Sequence, residues 1–357
     1  MIDNLIKETH IRHLRPLLDN AKRVVLTCHV RPDGDAIGST LALMHLLRAR
    51  KVQAHVVTPD TPPRVLEFLP GYRDVVPFSK YEEYGTRLIR EADLIICCDF
   101  NTPSRLSGLE TVFAESGAKR VVIDHHEGPE NFADLTVSYP EMSSTCELVF
   151  RLLCGIGIFN ELSDCTDAAT CLCTGIITDT RNLSVNTRHL DLYDIMKELL
   201  ALGVNKRLIL RETMETKSEN AMKLNAFALC ERLKVYPKHR AAVVWLTEED
   251  LERYRYEKGD TEGLVNQALE LRGTIYAIFM RQEKEKVRLS MRSLGSFPVS
   301  KICSEHFGGG GHIQAAGGDF DGNVADCIKY LESVLPEYDT ESRRAAERLK
   351  EQGYTFN

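Results

Sequence analysis

The sequence predicts an α/β protein: a parallel sheet with helices on both faces, then a smaller α/β domain reached through a helical connector. Three observations carry this. Short apolar runs alternate with helical patterns through the first half, polar residues gather where those runs end, and a second set of strand-like runs follows a charged helical stretch. The divisions expected are residues 1–190, 191–235 and 236–345.

VVLTCHV (24–30), VQAHVVTPD (52–60), ADLIICCDF (92–100) and KRVVIDHH (119–126) read as buried parallel strands, each a short apolar run ending in polar residues. AIGSTLALMHLLRARK (36–51) carries leucines, Ile37 and Met44 over most of its circumference, which predicts a helix buried on nearly every side. Two more helices are expected at 143–156 and 167–180. From about Asp191 to Leu233, charges interleaved with apolar residues predict helices leading into the next domain. AAVVWLT (241–247), GTIYAIFM (273–280) and VRLSMRS (287–293) read as its strands. Alternation in the last sets Arg288, Ser290 and Arg292 on one face, opposite Val287, Leu289 and Met291. FGGGGH then predicts a tight turn, and a helical stretch closes the chain.

Composition narrows the function. At 357 residues, 43% hydrophobic and 27% charged, this is an ordinary soluble chain of two domains. A net charge of -7 argues against sequence-independent binding to long duplexes, which needs many basic groups, but suits a small phosphorylated ligand held through a metal. No run approaches the roughly 18 to 20 apolar residues of a membrane span, and MIDNLIKETHIRHL lacks the apolar region of a signal peptide, so a cytoplasmic protein is expected. Eleven cysteines without a C-x-x-C pair read as reduced small hydrophobes.

Ligand crevices of open parallel sheets form at the C-terminal ends of the strands. Here the first strand ends in His29, Asp33 and Asp35, a later one in Asp99, the next in Asp124, His125 and His126, and TGIITDT adds Asp179. Singly, each has an ordinary structural reading: a solvated Asp-Gly-Asp turn, a capping histidine, a strand-end turn, a helix cap. Together, four strand or helix ends delivering acids and histidines point to two cations sharing a bridging carboxylate. Oxygen ligands with some imidazole and no thiolate suit Mn(II) or Mg(II) better than structural zinc.

These residues resemble the DHH phosphoesterase superfamily, named for the triplet seen here at Asp124, His125 and His126. The likeness takes in HVRPDGDAIGS, the CDF strand end and TGIITDT, and it continues in VRLSMRS and FGGGGHIQAAGG, which look like the companion DHHA1 domain. It implies one metal on His29, Asp33 and Asp99 and a second on Asp35, Asp99, His125 and Asp179, with a water between them as nucleophile. Two Mn(II) ions are the expected cofactors. Asp124 would orient a ligand histidine or neighbouring backbone, and His126 would face the scissile phosphate.

For the glycine run the residues allow a flexible loop or a tight turn feeding close backbone packing. Gly309, Gly310 and Gly311 would let backbone N–H groups approach a phosphate, with His312 reaching its end. The resemblance makes Arg292 the phosphate or carboxylate fork, while Arg288 is read as solvated or structural. One departure stands out: Ile313 and Gln314 follow His312 where many relatives carry a basic pair. The activity implied is exonucleolytic hydrolysis of short RNA oligonucleotides and dephosphorylation of 3′-phosphoadenosine 5′-phosphate. Cyclic or linear diadenylate hydrolysis is the alternative, with exopolyphosphatase, manganese pyrophosphatase or a non-catalytic nucleotide-sensing module more remote. Partners expected are short RNA or small nucleotides and no membrane, and the likeness is compatible with a homodimer.

Overall fold

The computed structural model describes residues 5–158 and 165–355. They form two compact units that divide between Thr216 and Lys217. The first holds a six-stranded sheet of β1 (Arg23–Thr27), β2 (Gln53–Thr58), β3 (Val76–Pro77), β4 (Leu94–Cys98), β5 (Lys119–Asp124) and β6 (Leu135–Ser138), ordered β3-β2-β1-β4-β5-β6. Every neighbouring pair is parallel.

Alternation along these strands divides the core in two. Val24, Leu26, Ile96, Val121 and Ile123 join one apolar cluster with α1 (Glu8–Asn20), α2 (Gly34–Ala49), α5 (Thr145–Gly155) and α6 (Thr166–Asp179). Val25, Ile95, Cys97 and Val122 face the other side, beneath Ile89 of α3 (Glu82–Glu91) and Phe113 of α4 (Glu110–Glu115). Helix α2 is buried from Gly34 through Met44, as its all-round apolar pattern requires. Gly175 lets α6 lie directly on α2 and α5, because a Cβ there would collide with Cys146 Sγ and stand 2.7 Å from Asp35 Oδ1.

The stretch 191–235 divides between the units. Leu192, Ile195, Met196 and Leu199 of α7 (Leu192–Ala201) and Ile209 of α8 (Lys206–Leu210) bury into the first core, whereas α9 (Glu219–Glu231) belongs to the second unit.

The second unit contains β7 (Leu233–Tyr236), β8 (Ala241–Leu246), β9 (Tyr276–Glu283), β10 (Lys286–Ser293), β11 (Gly310–His312) and β12 (Ala315–Asp321), in the order β11-β12-β10-β9-β8-β7. Only β8 and β9 are parallel neighbours. Val287, Leu289 and Met291 point into the core, and Arg288, Ser290 and Arg292 occupy the half-exposed face. FGGGGH is more than a turn. Gly310–His312 form an edge strand that pairs with Gly317 back to Ala315, and Ile313 and Gln314 make the hairpin turn. A Cβ on Gly309 would fall on the carbonyl of Gly317, so close backbone packing alone demands glycine there. Among the described residues no helix is long and apolar enough to cross a membrane.

Candidate metal centre

Strand order reverses between β1 and β4, and the crevice opened at their C-terminal ends is where an α/β sheet binds ligands. Beyond β1, Asp33 caps α2: its Oδ1 accepts the amides of Asp35 and Ala36 at 3.0 Å each. This leaves Oδ2 on the side of His29, 3.9 Å from Nε2. His29 Nδ1 lies 2.9 Å from the Val30 carbonyl, so Nδ1 keeps its proton and Nε2 is the ring nitrogen that faces the acids, free to become a ligand once a cation displaces its proton. Beyond β4, Asp99 sits in the left-handed region at φ +66°, a conformation that aspartate tolerates better than most residues. Beyond β5, His125 repeats the pattern of His29, with Nδ1 3.2 Å from the Met142 carbonyl.

The carboxylate of Asp99 stands between the two rings. Its Oδ2 is 3.3 Å from His29 Nε2 and its Oδ1 is 3.5 Å from His125 Nε2. His125 Nε2 is also 3.3 Å from Asp179 Oδ2 and 3.9 Å from Asp35 Oδ2. Two groups of potential ligand atoms result, His29 with Asp33 and Asp99, and Asp35 with His125 and Asp179, each spanning no more than 4.8 Å. Asp99, His125 and His126 form a third such group. However, His126 Nδ1 is 2.7 Å from Asp124 Oδ1, and its backbone N–H donates to Asp124 Oδ2 at 3.1 Å. Buried Asp124 therefore orients His126.

Electrostatics explain why such a cluster calls for cations. Burial, then the charge of Asp99, pushes Asp35 up to about 7, and burial followed by Asp35 raises Asp179 well above the carboxylate range. Asp99 goes the other way: burial alone would raise it, but the hydrogen bond and charge of His29, then His125, hold it well below the usual value. His29 and His125 are raised by Asp99 despite burial, which acts to lower them. The thiol beside the site, Cys28, is pushed far up, mainly by burial and then by Asp99, so it offers no thiolate. Oriented imidazole nitrogens and crowded carboxylates fit hard or borderline divalent ions.

Residues 23–176 match the DHH family, N-terminal domain, and residues 240–337 match the DHHA1 domain. The exopolyphosphatase-related protein of Bacteroides fragilis is 37% identical, with 96% of this chain and 100% of that one covered at a TM-score of 0.92. The chain belongs to the DHH family. This DHH chain is also similar to the bifunctional oligoribonuclease and PAP phosphatase NrnA of Thermus thermophilus, 29% identical over 90% of this chain and 91% of that protein. With the cyclic-di-AMP phosphodiesterase PdeA of Listeria monocytogenes it shares 27% identity over 91% of its own length and 49% of the relative's.

The remaining sequence-expected residues of the DHH chain lie in its second unit. Arg292 is half-buried on β10, its Nη1 donating to the Met291 carbonyl at 2.9 Å, and His312 is exposed at the end of β11. Arg288 bonds Glu283 at 2.7 Å, in keeping with a structural role. Three residues of the first unit escaped sequence reasoning. Thr145 donates its amide to Asp35 Oδ2 at 2.6 Å and its hydroxyl to Asp99 Oδ1 at 3.0 Å, and Cys146 donates its amide to Asp35 Oδ1 at 2.8 Å. The positive end of α5 thus faces Asp35. Arg105 brings its Nη1 to 3.3 Å from His126 Nε2. The Ser144-x-x-Glu147 spacing marks the start of α5 in the sequence, and Ser144 does accept the Glu147 amide at 3.0 Å. No sequence signal marks Arg105.

Proposed function

We propose that this chain is a divalent-metal phosphoesterase that hydrolyses short oligoribonucleotides from an end and removes a phosphate from 3′-phosphoadenosine 5′-phosphate. One observation carries the reading: the two oxygens of Asp99 face two imidazoles, each of which has further carboxylates on its own side. His29, Asp33 and Asp99 would hold one ion and Asp35, Asp99, His125 and Asp179 the other, with Mn(II) the preferred occupant. When bound, such a pair supplies Lewis-acid charge and lowers the pKa of water, the chemistry that attack at phosphorus requires.

The chain's own residues do the rest. Backbone carbonyls of Val30 and Met142 fix the tautomers of His29 and His125, and the amides of α5 hold Asp35 in register. His126, oriented by Asp124, belongs to the substrate side of the centre. Recognition of the nucleotide end is assigned to Arg292, Gly309, Gly310, Gly311 and His312. Ile313 and Gln314, with no positive charge, favour a small or short ligand over a long one. A cytoplasmic setting completes the proposal.

The PdeA relative, aligned over 91% of this chain, favours hydrolysis of cyclic or linear diadenylate as a second reading. Purified protein with manganese, offered dinucleotides, a five-nucleotide RNA, 3′-phosphoadenosine 5′-phosphate, cyclic diadenylate, pyrophosphate and polyphosphate, separates the two. The highest kcat/KM is expected on short RNA, with clear release of phosphate from 3′-phosphoadenosine 5′-phosphate. A higher value on diadenylates favours the second reading, and no hydrolysis of any substrate overturns both.

A further inference from the structure

Arg105 lies six residues beyond Asp99 and is anchored on the loop that carries His29, since its carbonyl accepts the Val30 amide at 2.7 Å. Arg151 and Arg232 are tied to carboxylates at 2.8 and 3.0 Å, whereas Arg105 has no carboxylate partner among the described residues. Its polar contact is with an imidazole. The carboxylate of Asp124 accepts from both the backbone N–H and Nδ1 of His126, so that ring carries its proton on Nδ1 and shows a lone pair at Nε2. A guanidinium only donates, and Nη1 of Arg105 meets that lone pair at 3.3 Å.

This arrangement reverses the division of labour expected from the resemblance. Both ring nitrogens of His126 are engaged, one by Asp124 and the other by Arg105, which leaves an incoming oxyanion in need of a donor beside them. The guanidinium, with five N–H groups in a planar fork, retains donors for one. We propose that Arg105 receives a non-bridging oxygen of the substrate phosphate and that His126 is a positioning residue, held by Asp124, which steers the guanidinium. The proposal rests on the phosphoesterase reading and names the anion-binding residue of the same site.

The test uses the full-length chain loaded with manganese, as wild type, Arg105→Ala, Arg105→Lys, His126→Ala and the Arg105→Ala/His126→Ala double variant. Bound manganese is measured first and is expected to be unchanged in all five, which also certifies folding. Inorganic phosphate is then titrated calorimetrically, independently of any turnover. Its affinity should fall at least about tenfold in Arg105→Ala and less in Arg105→Lys, which keeps the charge without the fork. On a dinucleotide, kcat/KM should fall about 10²- to 10³-fold in Arg105→Ala. The double variant should lie within about threefold of Arg105→Ala, because residues acting as one unit are not additive. Phosphate binding at wild-type strength in Arg105→Ala, no phosphate binding by the wild type, or losses that multiply in the double variant would each overturn the assignment. Wild-type protein that binds phosphate through Arg105 but cleaves nothing would defeat the phosphoesterase reading and leave Arg105 as an anion site. Wild-type cleavage that survives in Arg105→Ala would do the opposite.

Discussion

The hydroxyl of Thr145 donates to Asp99 Oδ1 across 3.0 Å, from the same helical turn whose amides hold Asp35. A residue that is not itself a candidate ligand thereby ties together the carboxylates of both halves of the centre, through its hydroxyl on Asp99 and its backbone amide on Asp35. Thr145→Val keeps the shape and loses the donor. Manganese affinity should drop about 10- to 100-fold, as when other outer partners of metal ligands are removed, and Thr145→Ser should restore most of it. Calorimetric titration with manganese checks this, and wild-type affinity in Thr145→Val would contradict it.

Asp99→Ala removes the only side chain positioned against both imidazoles in the two ligand groups described above. Metal content should fall for both ions together and turnover by orders of magnitude. Elemental analysis after dialysis decides the matter, because one ion retained per chain would show that Asp99 does not serve both.

The metal-free protein should lose stability as pH rises. Asp35, pushed to about 7, and Asp179, also raised, keep protons in the folded state that free carboxylates release near pH 4. His29 and His125, raised as well, keep theirs above the free value of about 6.5. All four bind more protons folded than unfolded, so unfolding free energy falls from about pH 4 toward pH 8. His10 and His55, lowered mainly by burial, oppose this over the acidic part of the range. Chelated protein should melt at a higher temperature at pH 5.5 than at pH 8, and Asp35→Asn should flatten the slope. Manganese, competing with those protons, should invert the order. A chelated protein whose Tm climbs toward pH 8 would refute the argument.

Gly175→Ala opposes the usual propensity gain of about 1 kcal/mol for alanine in a helix. The added carbon collides with Cys146 Sγ and crowds Asp35, so a net loss of about 1–3 kcal/mol is expected, as for overpacked cores, together with weaker manganese binding. Urea unfolding with and without manganese measures both.

Arg292→Ala should raise KM for short oligonucleotides more than it lowers kcat, since its proposed task is to hold the nucleotide end. Steady-state kinetics with a five-nucleotide RNA tests the split, and an unchanged KM would remove Arg292 from that task.

Legibility in the sequence followed the range of the forces involved. The buried strands and helix α2 were readable because their apolar patterns are local, and the acids and histidines were readable because they sit where those patterns stop. Two-residue β3, which contains Pro77, has no pattern long enough to detect. Gly310–His312 read as a turn because glycines carry no strand signal, and only pairing with Ala315–Gly317 makes them a strand. Helices α7 and α8 looked like a linker because charges interrupt them, yet Leu192, Ile195 and Leu199 bury completely. Thr145 and Arg105 were invisible for another reason: their partners, Asp99 and His126, lie 46 and 21 residues away in the chain.

The wide spacing of the candidate ligands also bears on biosynthesis. A chain still leaving the ribosome carries no complete centre until α6 has emerged, because His29 waits for Asp99, and His125 for Asp179. Cation capture would then act as a clasp across long stretches of polypeptide, penalising the open ensemble rather than any local element. Nested truncations ending before Asp179 should therefore gain little thermal protection from manganese, and protection should appear abruptly once that aspartate and its supporting helix are included.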